Sequence, residues 1–299
     1  MKYAVFTVML PEWQPEEAVA KLAAAGYDGV EWRVHHPPTA ALEAVPAAGR
    51  YWSANRCTID VNSLPAAAAK VMEMTIGGGL TLPALGTYVT CEDIQAVRRL
   101  MEAAKIMGCP MLRVGSITYD GSENYNQVFQ RTVDQYAKVE AAAKEYDVKA
   151  TIEVHMNTLT PSPSLAYRLA SYFDPRYVGV ILDAGNMVYE GFENYSIAVD
   201  LLGPYLAHVH VKNAAWQRVG EEGGTSVWRC DAAEMWEGIA NYRSLLSALK
   251  RVGYDGYLSF EDFSQRLSTA EKVTKNLEYI RRLESEVAPN SARPASSSS

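Results

Sequence analysis

Short apolar, β-branched segments and longer amphipathic helical patterns alternate along the whole of this chain, and no run of adjacent strand segments interrupts the alternation. The spacing predicts strands over 3–9, 30–34, 79–85, 111–115, 149–155, 178–182, 206–211 and 257–260, with helices in most of the intervals between them. Strict alternation of this kind implies crossover connections and therefore a parallel sheet. Eight such units fit a single-domain α/β chain closed as a (β/α)8 TIM barrel. An open doubly wound sheet is the alternative, but no Gly-x-Gly-x-x-Gly follows the first strand. The tetrapeptide Gly-Tyr-Asp-Gly occurs at 26–29 and again at 253–256, each time between a helix and a strand. Glycine is favoured just past a helix end, so the two copies mark the same kind of connection in repeated units. The proline-bearing stretch 35–63 reads as loop with a short strand around 51–55. Residues 288–299, which end in four serines, read as a disordered tail. The expected domain is thus 1–287.

The length of 299 residues suits one barrel, and 48% hydrophobic with 21% charged residues is ordinary for a large globular core. A net charge of -7 argues against nucleic acid or an anionic membrane as partner, since both select basic surfaces. No run approaches the roughly 18 apolar residues of a membrane span. The start of the chain does not resemble a secretory signal. Cys57, Cys91, Cys109 and Cys230 show no Cys-x-x-Cys spacing and are expected to be reduced thiols of a cytoplasmic protein.

Four strand segments end in polar residues. In Thr151-Ile-Glu-Val-His155, the alternation of side chains puts Glu153 and His155 on the face opposite Ile152 and Val154. The next three strands place Asp183, His210 and Glu261 at equivalent C-terminal positions. In a barrel those ends form one rim, so the four residues should converge. Three carboxylates side by side in a low-dielectric pocket raise one another's pKa unless a cation compensates. With one imidazole they make a hard, oxygen-rich donor set, suited to Mn²⁺ first, with Mg²⁺ or Co²⁺ as alternatives. Taken singly, an acid at a strand end is more often a helix N-cap or a salt-bridge partner. His208 lies one layer deeper than His210 and reads as a hydrogen-bonded core histidine. His155 lies further toward the rim and reads as a substrate contact or proton carrier. His35 and His36 read as solvated loop residues, and Cys230 as a structural thiol.

The segments Gly-Tyr-Asp-Gly-Val-Glu-Trp-Arg33, Ile-Glu-Val-His155, Leu-Asp-Ala-Gly-Asn186, His-Val-His210-Val-Lys-Asn and Ser-Phe-Glu261-Asp together resemble the sugar phosphate isomerase/epimerase branch of the xylose isomerase-like barrels. The resemblance implies Glu153, Asp183, His210 and Glu261 as ligands of a divalent metal ion. It also implies that Glu153 and Glu261 face each other across a keto-sugar. One would remove the proton next to the carbonyl and the other return one, through a cis-enediolate. Substrate contacts are implied for Asn186, where many relatives carry histidine, and for Lys212. They are implied too for Trp216 and Arg218, near the position where the epimerases place an arginine. The implied partner is a small sugar, and the assembly a homo-oligomer.

The segment 214–242 is longer than an ordinary βα connection and carries Trp216, Trp228, Trp236 and Gly223-Gly224. It reads as a lid-like loop, or else as a flap packed on the barrel or on another subunit. Two other activities stay open. A lyase acting on 3-keto-glycosides would use His155 as base and, by resemblance, a small second subunit. A metal-assisted sugar-binding protein would use none of these groups catalytically.

Overall fold

The computed structural model of the chain describes residues 1–287; the serine-rich tail expected at 288–299 lies outside the described residues. Strand β1 (Lys2–Phe6) is followed by α1 (Pro15–Ala25), β2 (Gly29–His35), α2 (Ala47–Ser53), β3 (Thr58–Asp60) and α3 (Leu64–Gly77). Then come β4 (Leu85–Thr87), α4 (Ile94–Met107), β5 (Met111–Arg113), α5 (Tyr125–Tyr146), β6 (Lys149–Glu153) and α6 (Pro163–Ala170). The second half holds β7 (Val178–Asp183), α7 (Ala184–Tyr189), α8 (Tyr195–Leu202), β8 (Leu206–Val211), β9 (Asn213–Glu222) and β10 (Thr225–Ala233). It ends with α9 (Tyr242–Arg251), β11 (Tyr257–Phe260) and α10 (Thr269–Glu286). Strands β1, β2, β4, β5, β6, β7, β8 and β11 pair in parallel in that cyclic order, and the β1–β2 and β1–β11 pairings close the barrel. The expected (β/α)8 architecture is what the chain adopts.

The helix boundaries have local causes. Pro15 occupies the first turn of α1, Gln14 and Glu17 cap it reciprocally, and Gly26 ends it at φ 88° in the left-handed region. Helix α10 opens with the same reciprocal device, Ser268 with Glu271. Outward residues such as Val30, Trp32, Ile152, Val180 and Leu258 are buried against the helices. Full burial of each such side chain stabilises by roughly 1.5–3 kcal/mol. Inward residues are unusually polar: Glu31, Thr151, Glu153, Asp183, His208, His210, Ser259 and Glu261 are all buried. The apolar shell therefore carries the packing and leaves the barrel interior free for charged groups.

Three expectations change. Residues 51–53 belong to α2 rather than to a strand, because Pro46 stands at the helix start and its fixed φ suits a helix opening. A short strand does form in the proline-rich stretch, but later, as β3 on the outer edge of β2. The strand expected at 79–85 begins only at Leu85, since Pro83 cannot donate to a sheet ladder. The long excursion is a two-stranded antiparallel hairpin, β9 with β10. Gly223 and Gly224 are its turn, with φ of 56° and 80° as a tight hairpin of this kind demands. Among the described residues no helix is long and apolar enough to cross a membrane, and all four cysteines are free thiols.

Candidate active site

The C-terminal ends of β6, β7 and β8, with the residue that follows β11, bring Glu153, Asp183, His210 and Glu261 together. One donor atom from each lies within 4.8 Å of every other. Register explains the meeting: Asp183 on β7 stands beside His210 on β8, and His210 stands beside Ser259, two residues before Glu261. Gly185 makes the same corner possible. A Cβ there would sit 2.2 Å from Lys212 Cγ and 2.7 Å from the Lys212 carbonyl oxygen. Only glycine lets the turn into α7 lie flat against the end of β8.

Each carboxylate has a defined counter-group. Glu153 Oε1 accepts from His210 Nδ1 at 2.9 Å, and Glu153 Oε2 accepts from Arg113 Nη1 at 2.5 Å. Asp183 Oδ1 accepts from the Asn186 backbone N–H and so caps α7. Its second oxygen, Oδ2, is buried and accepts no hydrogen bond, although Lys212 Nζ stands 3.0 Å away. The capping role thus takes one oxygen and leaves the other without a hydrogen bond. Lys212 Nζ donates to Glu261 Oε2 at 2.5 Å. Asn186 reaches the cluster as well: its Nδ2 donates to the Val154 carbonyl at 3.0 Å and lies 3.5 Å from Glu153 Oε1.

The surroundings push the two glutamates in opposite senses. Burial alone would raise the Glu153 carboxyl, but Arg113 and His210 outweigh it and hold Glu153 well below the usual carboxylate range. Burial raises Glu261 and, with Glu153 and Asp183 adding to it, outweighs the opposing pull of Lys212 and His210. Burial opposes charge on Lys212 too, yet Asp183 and Glu261 hold its ammonium above the ordinary lysine value.

A second layer lies directly beneath. Glu31 is fully buried and accepts from Ser259 Oγ at 2.7 Å and from both histidines, His208 Nε2 at 3.0 Å and His210 Nε2 at 3.1 Å. Carboxylates face both ring nitrogens of His210 and can only accept, so each nitrogen carries a proton, and an ion bound at Nδ1 would replace the proton there. Carboxylates placed behind a ligating imidazole fix its orientation and raise its basicity. His208 is the hydrogen-bonded core residue that its depth suggested.

These residues fit a divalent ion. The donors are hard, they converge, and Asp183 Oδ2 is a buried anionic oxygen without a hydrogen bond. Glu31→Gln is expected to weaken Mn²⁺ binding by about 10–100-fold, the usual cost of losing such a supporting group. Calorimetric titration against a competing chelator would measure it, and an unchanged affinity would show that Glu31 does not support His210.

Above the cluster opens a cavity of about 730 Å³ lined by Tyr51, Trp52, Tyr88, His155, Tyr189 and Phe263 among others. Glu153 and Glu261 are part of its surface, as are Asn186 and Lys212, whereas Asp183 and His210 are sealed below at 0% exposure. Trp216 and Arg218 stand elsewhere. Trp216 is 43% exposed and donates to the Val188 carbonyl, while Arg218 pairs with Glu221 along the hairpin. The structure does not bring these two to the cavity. The hairpin contributes Asp231 and Ala232 instead. His36 is exposed, and His35 is partly buried with its ring edge-on to Tyr88.

A model of the family described as xylose isomerase-like TIM barrel matches residues 19–283. The chain belongs to this family. No curated protein matches the sequence. Among solved structures, the chain is similar to the apo form of 3-keto-D-glucoside 4-epimerase from E. coli, at 15% identity and TM-score 0.67, over 94% of this chain and 99% of that one. It is similar also to a probable 3-DHS dehydratase from Bacillus anthracis, at 16% identity and TM-score 0.69, over 94% and 99%. A third is a xylose isomerase-like TIM barrel protein from Mycobacterium smegmatis in complex with magnesium, at 16% identity and TM-score 0.66, over 96% and 98%. Identities this low carry the fold alone.

Proposed function

We propose that this protein is a divalent-metal-dependent isomerase or epimerase of a small keto-sugar or sugar derivative. It works by moving the proton next to the carbonyl through a cis-enediolate. The observation that carries this reading is the division within the donor set: Glu153 and Glu261 reach the cavity, while Asp183 and His210 lie beneath it. Two carboxylates therefore meet the substrate, and two further ligands serve the ion alone. A bound ion, taken as Mn²⁺, would supply positive charge against the oxyanion that develops as the proton leaves. Glu153, kept ionised by Arg113, is the base. Glu261, which holds a proton more readily, is the acid. Lys212 and Asn186 hold these carboxylates in place, and Asn186 Oδ1, which has no hydrogen-bond partner, offers an acceptor to a substrate hydroxyl. One of the similar solved structures is named as an epimerase. Incubating the Mn²⁺-loaded protein with a panel of ketoses in deuterated water should place solvent deuterium at carbon 3 for an epimerase, or at carbon 1 or 2 for an isomerase. No exchange across the panel, with metal shown to be bound, would sink the reading.

One observation favours a lyase as the second reading. His155 Nδ1 lies 2.7 Å from the Met156 carbonyl oxygen, which can only accept, so Nδ1 is a donor and Nε2 is the nitrogen that bears the lone pair in the neutral ring. His155 lines the cavity. In a 3-keto-glycoside, removal of the carbon 2 proton by Nε2 expels the group at carbon 1 and leaves a double bond in the ring. His155→Ala should then cut release of a free aglycone by about 10²-fold or more, the usual scale for a lost general base. Unaffected release in that variant would exclude His155 as the base.

A further inference from the structure

We propose that the substrate of this site is an uncharged glycoside with a second ring, and not a phosphorylated monosaccharide. The keto-sugar sits over Glu153 and Glu261, and the second ring packs in an aromatic vestibule built by Trp52, Tyr51 and Phe263. The inference names the substrate class of the site proposed above and rests on that reading.

The first support is the charge of the cavity wall. Among the described residues, its lysine and arginine side chains are Arg113 and Lys212. Neither is free: Arg113 Nη1 is held by Glu153 and Lys212 Nζ by Glu261, each at 2.5 Å. Glu153, Asp231 and Glu261 line the same surface, so carboxylates outnumber these cations there. Arg33 is a buried guanidinium with neutral acceptors, Thr58 Oγ1 and the Trp52 carbonyl, but its place is behind the wall and not in it. Apart from the ion, which the keto-sugar oxygens would occupy, a phosphate dianion would enter this space with no unpaired side-chain cation to meet it and with like charges around it. Neutral hydroxyls, in contrast, find donors and acceptors in Ser116, Thr158, Asn186 and Gln265.

The second support is shape. The volume of about 730 Å³ extends past the two glutamates to an outer wall of rings. Phe263, two residues beyond Glu261, packs against Tyr51 at 5.0 Å and Trp52 at 5.2 Å between ring centroids. Tyr51 is fixed from behind by Lys272 Nζ at 2.8 Å from its hydroxyl, so the wall does not depend on a bound ligand to form. Trp52 is 50% exposed, and the cavity includes it. A flat aglycone, or the C–H face of a second sugar, would cover such rings and gain apolar contact there.

Titration calorimetry on the Mn²⁺-loaded full chain tests this with three probes: D-fructose, D-fructose 6-phosphate and 4-nitrophenyl β-D-glucoside. The aryl glucoside is expected to bind about tenfold or more tightly than fructose, the scale of one good aromatic contact, and the phosphate ester more weakly than fructose. Trp52→Ala and Phe263→Ala should each remove most of the aryl advantage while leaving fructose and Mn²⁺ affinity unchanged. Tighter binding of the phosphate ester, or an aryl advantage that survives both substitutions, would overturn the inference and leave the keto-sugar reading standing. If Mn²⁺ binds and none of the three sugars does, the keto-sugar reading falls and this inference falls with it.

Discussion

Glu261→Gln should lower turnover of any substrate that shows deuterium exchange by about 10²–10⁴-fold, the range supplied by a positioned acid or base. The amide keeps the volume of the carboxyl and still accepts from Lys212, but it cannot carry a proton. The measurement should be made at saturating Mn²⁺, because Glu261 is also one of the four converging donors. Saturation separates the two roles: a loss that disappears with added metal is a ligand effect, and a loss that persists is a proton-transfer effect. Persisting loss of both exchange and net conversion is the expected result. Full activity at saturating metal would remove Glu261 from the chemistry.

Arg113→Met tests the other glutamate through stability. Arg113 is buried, donates from Nε to the Thr87 carbonyl at 2.9 Å, and lies with its guanidinium 4.5 Å from the centre of the Tyr88 ring. Methionine fills part of the same space but leaves the Glu153 carboxylate with His210 alone in place of two counter-groups. Breaking a buried pair from one side costs about 3–5 kcal/mol. For a chain of this size the melting temperature moves roughly 2 °C per kcal/mol, so the metal-free variant should melt about 6–10 °C lower. Mn²⁺ bound at the folded site should recover part of that loss by mass action. Calorimetric melting with and without chelator would show both effects. An unchanged melting point in the metal-free protein would mean that the Arg113–Glu153 pair does not support the fold.

The four donor residues were legible because each ends a strand whose neighbours alternate cleanly with it, as Glu153 does between Ile152 and Val154. Two groups of equal importance were overlooked, for different reasons. Glu31 shows the same signal, an acid flanked by Val30 and Trp32 on a strand, but it lies in the middle of β2 and not at its C-terminal end. Alternation applied to every strand, and not only to the later ones, would have found it. Arg113 had no comparable signal. Strand β5 spans Met111–Arg113 alone, too short for alternation to show a face, and an arginine at a strand end suggests solvent. That Glu153 accepts from it follows from how β5 and β6 lie side by side, which pairs Arg113 with Thr151. Trp216 and Arg218 illustrate a third limit. Their distance from His210 along the chain was short, but β9 carries them outward along the hairpin.

The seam of the barrel joins the two most distant strands: Lys2 on β1 pairs with Tyr257 on β11, and the amino terminus reaches Glu284 on α10. During synthesis, Glu153, Asp183 and His210 emerge well before the segment that shuts this seam, and Glu261 directly follows that segment. Until the seam closes, a growing chain has the two sealed donors and one glutamate, with neither the second glutamate nor the partner that holds Lys212. Contacts this remote in sequence are the slow ones to form. Closure of the barrel is therefore itself the assembly step of the centre, and a nascent chain has no competent site before its last strand is in place.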